Sequence, residues 1–103
     1  MGEVVTVAKT SELGPGQAKA VEVKGRTIAL FNVGGRYYAI DETCTHAGGP
    51  LSEGSVEGTR VTCPWHGAQF DLTSGEALTP PAPEGVARYP VHVQGEEIQL
   101  EVT

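Results

Sequence analysis

Two short segments, residues 44–51 (CTHAGGPL) and 63–67 (CPWHG), decide how this chain is interpreted. The first contains a cysteine and a histidine as C-x-H, the second contains them as C-x-x-H, and sixteen residues lie between the two pairs. Thiolate sulfur and imidazole nitrogen both bind transition metals, and the nearby glycines let the backbone turn sharply around a bound group. The pattern predicts a metal site with two sulfur and two nitrogen ligands. Its four candidate ligands are Cys44, His46, Cys63 and His66.

Outside these segments the sequence has the pattern of short β-strands. Residues 18–24 and 26–33 are rich in branched apolar side chains, and residues 33–36 (VGGR) predict a two-residue hairpin loop. Near the C-terminus, two alternating sets of apolar residues each predict one buried strand face. The sets are Ala87, Tyr89, Val91, Val93 and Ile98, Leu100, Val102. No segment has a helical period over ten or more positions, so we predict an all-β fold.

The length of 103 residues is enough for one small domain. Fourteen glycines and seven prolines favour many turns and short strands. We predict a single domain in which residues of about 1–40 and 84–103 form a β base. A loop-rich insertion of about 41–83 carries the four candidate ligands.

The formal net charge of −6 argues against binding to nucleic acid or to anionic membranes. No apolar stretch approaches the 18 residues of a membrane span, and the N-terminal residues lack the pattern of an export signal. We therefore expect a cytoplasmic protein. In that reducing compartment the two cysteines are expected to be free thiols, metal ligands or catalytic groups and not a disulfide.

The two ligand segments resemble those of Rieske-type iron–sulfur proteins, in particular the small soluble Rieske ferredoxins. The proline-rich residues 79–83 (TPPAP) add to the resemblance, which implies that they cover the cluster. It also implies an all-β Rieske fold of antiparallel sheets and one [2Fe–2S] cluster. In that family the two cysteines would bind the inner iron and the two histidines the outer iron, near the surface.

Two other interpretations of the ligand set remain open. A structural zinc site can also have two Cys and two His, although zinc fingers usually pair like with like. Cys44 and His46 could instead form a nucleophile pair, although no third group is evident to orient them. The remaining histidine, His92, is expected to be a solvated strand residue. Trp65 could shield the cluster or simply pack.

The resemblance also predicts a low reduction potential. High-potential Rieske proteins carry a disulfide between the ligand loops, and this chain has Gly49 and Trp65 at those positions. They also carry serine and tyrosine hydroxyls that donate hydrogen bonds to cluster sulfur, and this chain has Ala68 and Phe70 instead. Such hydrogen bonds stabilise the reduced state, so their absence predicts a potential near the low end of the Rieske range, about −150 mV.

These observations predict an electron carrier and not an enzyme. A mononuclear iron oxygenase would need two further histidines and a carboxylate, and only His92 remains. The resemblance implies a flavin reductase as electron donor and a terminal oxygenase, such as an aromatic-ring dioxygenase, as acceptor. The alternative is the small subunit of an assimilatory nitrite reductase. We expect a monomer, steered towards a basic partner by acidic residues that include Glu42, Glu53 and Glu57.

Overall fold

The computed structural model describes residues 3–42, 50–64, 67–78 and 85–102. Within these ranges the chain forms ten strands and two short 3₁₀ turns, Thr10–Glu12 and Leu51–Glu53. The strands are β1 (Glu3–Lys9), β2 (Ala18–Val23), β3 (Arg26–Val33), β4 (Arg36–Asp41), β5 (Ser55–Glu57), β6 (Arg60–Thr62), β7 (Gln69–Asp71), β8 (Arg88–Tyr89), β9 (Val91–Gln94) and β10 (Glu97–Val102). None of the described helical segments is long and apolar enough to cross a bilayer.

The strands form three antiparallel sheets. The first has the order β1-β10-β9, the second β2-β3-β4-β8, and the third β5-β6-β7. The third sheet lies within the predicted insertion, while the other two contain residues from both ends of the chain. This arrangement confirms the predicted all-β fold. The domain boundaries at about residues 41 and 83 stay a prediction.

Glycine conformation explains the tight hairpins of the second sheet. Lys24 and Gly25, between β2 and β3, have φ of 51° and 80°, and Gly34 and Gly35, between β3 and β4, have φ of 60° and 94°. Two-residue loops with positive φ match the right-handed twist of the strands that they join. The predicted two-residue hairpin loop at residues 33–36 is therefore confirmed.

The chain changes sheets at Pro90. β8 pairs with β4 in the second sheet, whereas β9 pairs with β10 in the first. Proline has no amide hydrogen to donate, which suits a position between two ladders. The predicted common face of this segment is correct for Tyr89 and Val91, which contact the core. It is wrong for Ala87, which is exposed before β8, and for Val93, which is 49% exposed because β9 is an edge strand.

Strand β3 is buried on both faces and separates two apolar clusters. Ile28 and Leu30 contribute to the first cluster, with buried residues of β10. Ala29 and Phe31 point to the opposite face and contribute to the second cluster, because successive strand side chains alternate. The remaining buried members of the second cluster are Ile40, Leu51, Val61, Cys63, Ala68, Phe70, Leu72 and Val86. The insertion therefore packs on the face of the second sheet that the first sheet leaves free.

Candidate metal centre

Of the four predicted ligands, Cys63 lies within the described residues. Cys44 and His46 fall in residues 43–49 and His66 in residues 65–66, which are outside the described ranges. Among the described residues no group of three His, Cys, Asp or Glu side chains is placed to bind a metal ion. The joint binding of a metal by the four side chains therefore stays a prediction.

Cys63 follows β6 and is a free, buried thiol with 1% of its surface exposed. Two backbone hydrogen bonds close the turn that it opens. The amide of Cys63 donates to the Ala68 carbonyl at 2.7 Å, and the amide of Gly67 donates to the Cys63 carbonyl at 3.0 Å. Gly67 has φ of 76°, a conformation that glycine adopts without strain. Both ends of the segment CPWHG thus belong to a tight turn, as its glycine predicts.

The environment of Cys63 is apolar. Ala68 and Phe70 are fully buried and share the second cluster with it. Neither carries a hydroxyl, so neither can donate a hydrogen bond to a sulfur atom. A soft thiolate on a closed turn with apolar neighbours fits the ligand chemistry of an iron–sulfur cluster.

The residues on either side of the segment 43–49 are hydrogen-bonded to each other. The Leu51 amide donates to the Glu42 carbonyl at 2.7 Å. The Glu42 carboxylate accepts two further bonds, both of 2.7 Å: one from the Ser52 amide to Oε1 and one from the Ser52 hydroxyl to Oε2. The amide of Glu42 donates to the Thr27 carbonyl of β3 at 3.1 Å, which attaches this pair to the second sheet.

The proline-rich segment also has a closed base. The Val86 amide donates to the Gly75 carbonyl at 2.8 Å. A Cβ atom added at Gly75 would lie 2.2 Å from the Val86 carbonyl oxygen, and one added at Gly85 would lie 2.4 Å from the Gly75 carbonyl oxygen. Two glycines are therefore needed where these backbones meet. Residues 79–83, which are predicted to cover the cluster, lie outside the described ranges.

The residues that flank the two ligand segments and the proline-rich segment all contribute to the second cluster. Leu51 follows the segment 43–49, Cys63 and Ala68 belong to the turn of the second ligand segment, and Val86 follows the proline-rich segment. Each of these side chains is at most 8% exposed. The fold thus brings together the anchoring points of both ligand segments and of the proline segment. The predicted ligand set implies that the two ligand segments lie near each other, and the resemblance implies the same for the proline segment. No sequence signal indicated the Glu42–Ser52 contact.

Two acidic residues hold the surrounding loops. Asp71 accepts bonds from the Thr73 hydroxyl at 2.6 Å and the Thr73 amide at 2.8 Å, and these bonds lower the pKa of Asp71. Asp41 accepts a bond of 2.6 Å from the Tyr89 hydroxyl. Burial of Tyr89 raises its pKa, and the bond to Asp41 raises it further.

His92 is a solvated strand residue, as predicted. Its side chain is 53% exposed, and Nε2 lies 3.5 Å from Glu101 Oε2 on the neighbouring strand β10. Among the described residues, no hydrogen bond joins it to the ends of the ligand segments.

Comparison with known proteins identifies close relatives among ferredoxins. The chain is 35% identical over 92 residues to the ferredoxin component of the naphthalene 1,2-dioxygenase system of Pseudomonas aeruginosa, covering 89% of this chain and 88% of the relative. It is 47% identical over 76 residues to the 3-phenylpropionate/cinnamic acid dioxygenase ferredoxin subunit of Shigella boydii, covering 73% and 72%.

Solved structures agree with these relatives. The ferredoxin of carbazole 1,9a-dioxygenase from Nocardioides aromaticivorans superposes with a TM-score of 0.92 at 31% identity, over 97% of this chain and 98% of that one. A chain of a complex of reduced oxygenase and oxidized ferredoxin in carbazole 1,9a-dioxygenase superposes with a TM-score of 0.88 at 30% identity, over 95% and 92%. A Mycobacterium tuberculosis chain, named for the small subunit of an NADH-dependent nitrite reductase, reaches 0.91 at 24% identity, over 100% and 97%, which shows the fold alone.

The family model of the Rieske [2Fe-2S] domain matches residues 3–90. This match confirms the predicted Rieske fold and the predicted cofactor, one Rieske-type [2Fe–2S] cluster. The names of the relatives confirm an electron-carrying ferredoxin and not an enzyme. The chain belongs to the Rieske [2Fe–2S] domain family.

Proposed function

We propose that this protein carries single electrons from a flavin reductase to a terminal oxygenase of the aromatic-ring dioxygenase class. The observation that supports this most directly is the match to ferredoxin components, over 89% of this chain and 88% of the naphthalene relative and over 97% and 98% for the superposed carbazole ferredoxin. The relatives are named for naphthalene and 3-phenylpropionate/cinnamic acid systems, and the superposed ferredoxin for a carbazole system. All three names belong to dioxygenase systems for aromatic compounds, which supports a role in aromatic hydrocarbon catabolism.

We propose that Cys44 and Cys63 bind one iron and that His46 and His66 bind the other. When bound, the cluster accepts and returns one electron. Cys63 is held by its closed turn in an apolar environment, which suits a thiolate of the inner iron. The neighbouring Pro64 and Gly67 are exposed, which suits an outer iron near the surface.

Three exposed residues near the second ligand segment are uncharged. Pro64, Gly67 and Leu78 are exposed, and Leu78 retains 40% of its accessible surface. The backbones are adjacent, since the Leu78 amide donates to the Gln69 carbonyl at 2.8 Å. An uncharged patch beside an outer histidine ligand would let a partner approach closely and dissociate quickly.

The acidic residues predicted to steer a partner have different roles in the structure. Glu42 is half-buried and its carboxylate is bound to Ser52, so it is a poor candidate for steering. Glu53 is exposed, and Glu57 is 90% exposed at 3.4 Å from Arg60, a pair that contributes little at such exposure. We propose Glu53 and Glu57 as the steering residues. A rate of transfer to the oxygenase that is independent of ionic strength would rule this out.

Reconstitution tests the proposed function. The purified protein is combined with a flavin reductase, NADH and a terminal oxygenase for an aromatic substrate, and substrate turnover is measured. We expect turnover to depend on the amount of ferredoxin added and to stop when it is omitted. Turnover that is unchanged by the ferredoxin, with several such oxygenases, would argue against the proposal.

The alternative, a small subunit of a nitrite reductase, is supported only by a common fold at 24% identity. The relatives at 35% and 47% identity favour the dioxygenase systems. Co-purification with a siroheme enzyme would reverse this preference.

We also propose a cytoplasmic monomer. A reducing compartment would keep the Cys63 thiol available as a ligand. Cell fractionation and size-exclusion chromatography of the cluster-loaded protein test the two parts separately.

A further inference from the structure

The geometry points to Glu42 as a positioning residue for the first ligand segment, acting through Ser52. This inference rests on the proposed assignment of Cys44 and His46 as ligands. It concerns a side chain that is not itself a ligand and that the sequence had suggested for partner steering.

Both carboxylate oxygens of Glu42 are hydrogen-bonded to Ser52. Each oxygen of Glu42 accepts one bond of 2.7 Å, from the amide and the hydroxyl of Ser52 respectively. Hydrogen bonds to an ionised acceptor are shorter and stronger than neutral ones, and these are at the short end of the usual range. Both residues are only partly exposed, which limits competition by water.

Glu42 and Ser52 lie on either side of the first ligand segment, so their contact can restrain that segment. Glu42 is the last described residue before the segment 43–49, and Ser52 belongs to the turn Leu51–Glu53 just after it. Leu51 is fully buried in the second cluster, and its amide donates to the Glu42 carbonyl at 2.7 Å. Three hydrogen bonds therefore hold the two ends of the segment together.

Closed ends restrict the conformations of the segment between them. A ligand can leave a metal more easily when the backbone on either side is free to separate, because ordering a segment costs conformational entropy. The chain has no cysteine pair at Gly49 and Trp65 to link the ligand loops covalently. The Glu42–Ser52 contact supplies, without a covalent bond, part of the restraint on Cys44 and His46.

The test measures cluster retention and not electron transfer. Cluster-loaded protein is mixed with an excess of an iron chelator, and release is followed by the loss of visible absorption. Glu42→Ala removes both side-chain bonds, so we expect release to be roughly tenfold faster than in the wild type. Ser52→Ala removes only the hydroxyl bond, and we expect an increase of about threefold.

Two variants separate positioning from charge. Glu76→Ala removes the same charge from an exposed position in another loop, so its release rate should stay within about twofold of the wild type. Glu42→Gln removes the charge but can keep both contacts, since its oxygen accepts from the Ser52 amide and its nitrogen donates to the Ser52 hydroxyl. Its bonds are neutral and weaker, so we expect Glu42→Gln to release the cluster more slowly than Glu42→Ala.

The EPR spectrum of the reduced protein gives a second readout. We expect broader lines in Glu42→Ala, from a wider range of ligand geometries, and wild-type lines in Glu42→Gln. Equal release rates in Glu42→Ala and Glu76→Ala would overturn the inference, as would release from Glu42→Gln as fast as from Glu42→Ala. If Glu42→Ala cannot be obtained folded, Ser52→Ala decides, and a wild-type release rate in that variant overturns the inference.

Failure of the proposed function has a different signature. A wild-type protein that binds no iron and sulfide would contradict the ligand assignment whatever the variants do. A wild-type protein with a normal cluster and variants with unchanged release would contradict only the role of Glu42.

Discussion

The Tyr89 hydroxyl donates a hydrogen bond of 2.6 Å to Asp41 Oδ1, and this bond joins the strand after the insertion to the strand before it. Asp41 Oδ2 also accepts from the Ala87 amide at 3.2 Å, and the Asp41 amide donates to the Ala87 carbonyl at 3.0 Å. The two points where the chain leaves and re-enters the second sheet are thus fixed by one aspartate.

Replacing Tyr89 by phenylalanine tests this bond. Tyr89 is 6% exposed and donates to a carboxylate, so we expect Tyr89→Phe to lower the free energy of unfolding by about 1–2 kcal/mol. Tyr37→Phe is the matched control, because the Tyr37 hydroxyl makes no hydrogen bond to the described residues and its removal should change stability little. Chemical denaturation of the cluster-loaded proteins measures both, and equal effects would contradict the prediction.

The acid dependence of stability should include a contribution from Asp71. The two bonds from Thr73 lower its pKa below the ordinary value of 3.8. Because the folded pKa lies below the unfolded one, this stabilisation is complete above about pH 4 and is lost as the pH falls through the folded pKa. Asp71→Asn should therefore show a shallower loss of stability below pH 4 than the wild type.

Glu76→Gln is the control for Asp71→Asn. Glu76 is exposed in the same loop, and its side chain makes no hydrogen bond to the described residues. The stability of the Glu76→Gln variant should depend on pH below 4 in the same way as that of the wild type. A wild-type profile in Asp71→Asn would show that the bonds from Thr73 do not contribute.

Single substitutions of the predicted ligands should abolish the Rieske cluster. Cys44→Ser, Cys63→Ser, His46→Ala and His66→Ala should each lack the visible absorption and the EPR signal of the reduced wild type, because each removes one of four metal bonds. His92→Gln should keep both signals, since His92 is a solvated strand residue. A colourless wild-type protein that contains zinc would instead support the structural zinc interpretation.

The close contact of Gly75 with Gly85 and Val86 predicts that these glycines cannot be replaced without loss of stability. Gly85→Ala would place Cβ 2.4 Å from the Gly75 carbonyl oxygen, so the backbone must shift, at a cost of about 1–3 kcal/mol. Gly14→Ala is the control, since the nearest atom there is the flexible Gln17 side chain at 3.3 Å. Thermal unfolding distinguishes them, and equal melting temperatures would contradict the prediction.

The reduction potential should lie near the low end of the Rieske range, about −150 mV. Ala68 and Phe70 stand where the high-potential proteins that this chain resembles have hydroxyl donors, and both are fully buried beside Cys63. Phe70→Tyr should raise the potential if its hydroxyl reaches a cluster sulfur. Cyclic voltammetry measures both proteins, and a wild-type potential above zero would contradict the prediction.

Local patterns in the sequence predicted much of the fold. The hairpin after β3 follows from Gly34 and Gly35, and the buried face of β10 follows from the alternation of Ile98, Leu100 and Val102. These features depend on neighbours in the chain, so a short window is enough to predict them. The prediction for Val93 was wrong because exposure at a sheet edge depends on which strand pairs next to it, and no local pattern contains that information.

The sequence by itself indicated the family, which the family model confirms, and it predicted a ligand set, because two cysteines and two histidines at this spacing are typical of one metal centre. That ligand set stays a prediction. Only the tertiary structure decided which other residues support the ligand segments. Glu42 binds Ser52 ten positions away, Asp41 binds Tyr89 forty-eight positions away, and Gly75 meets Gly85 across the base of the proline segment. Such contacts join residues that are brought together when the sheets pack, and an acidic or glycine residue in sequence gives no indication of its partner.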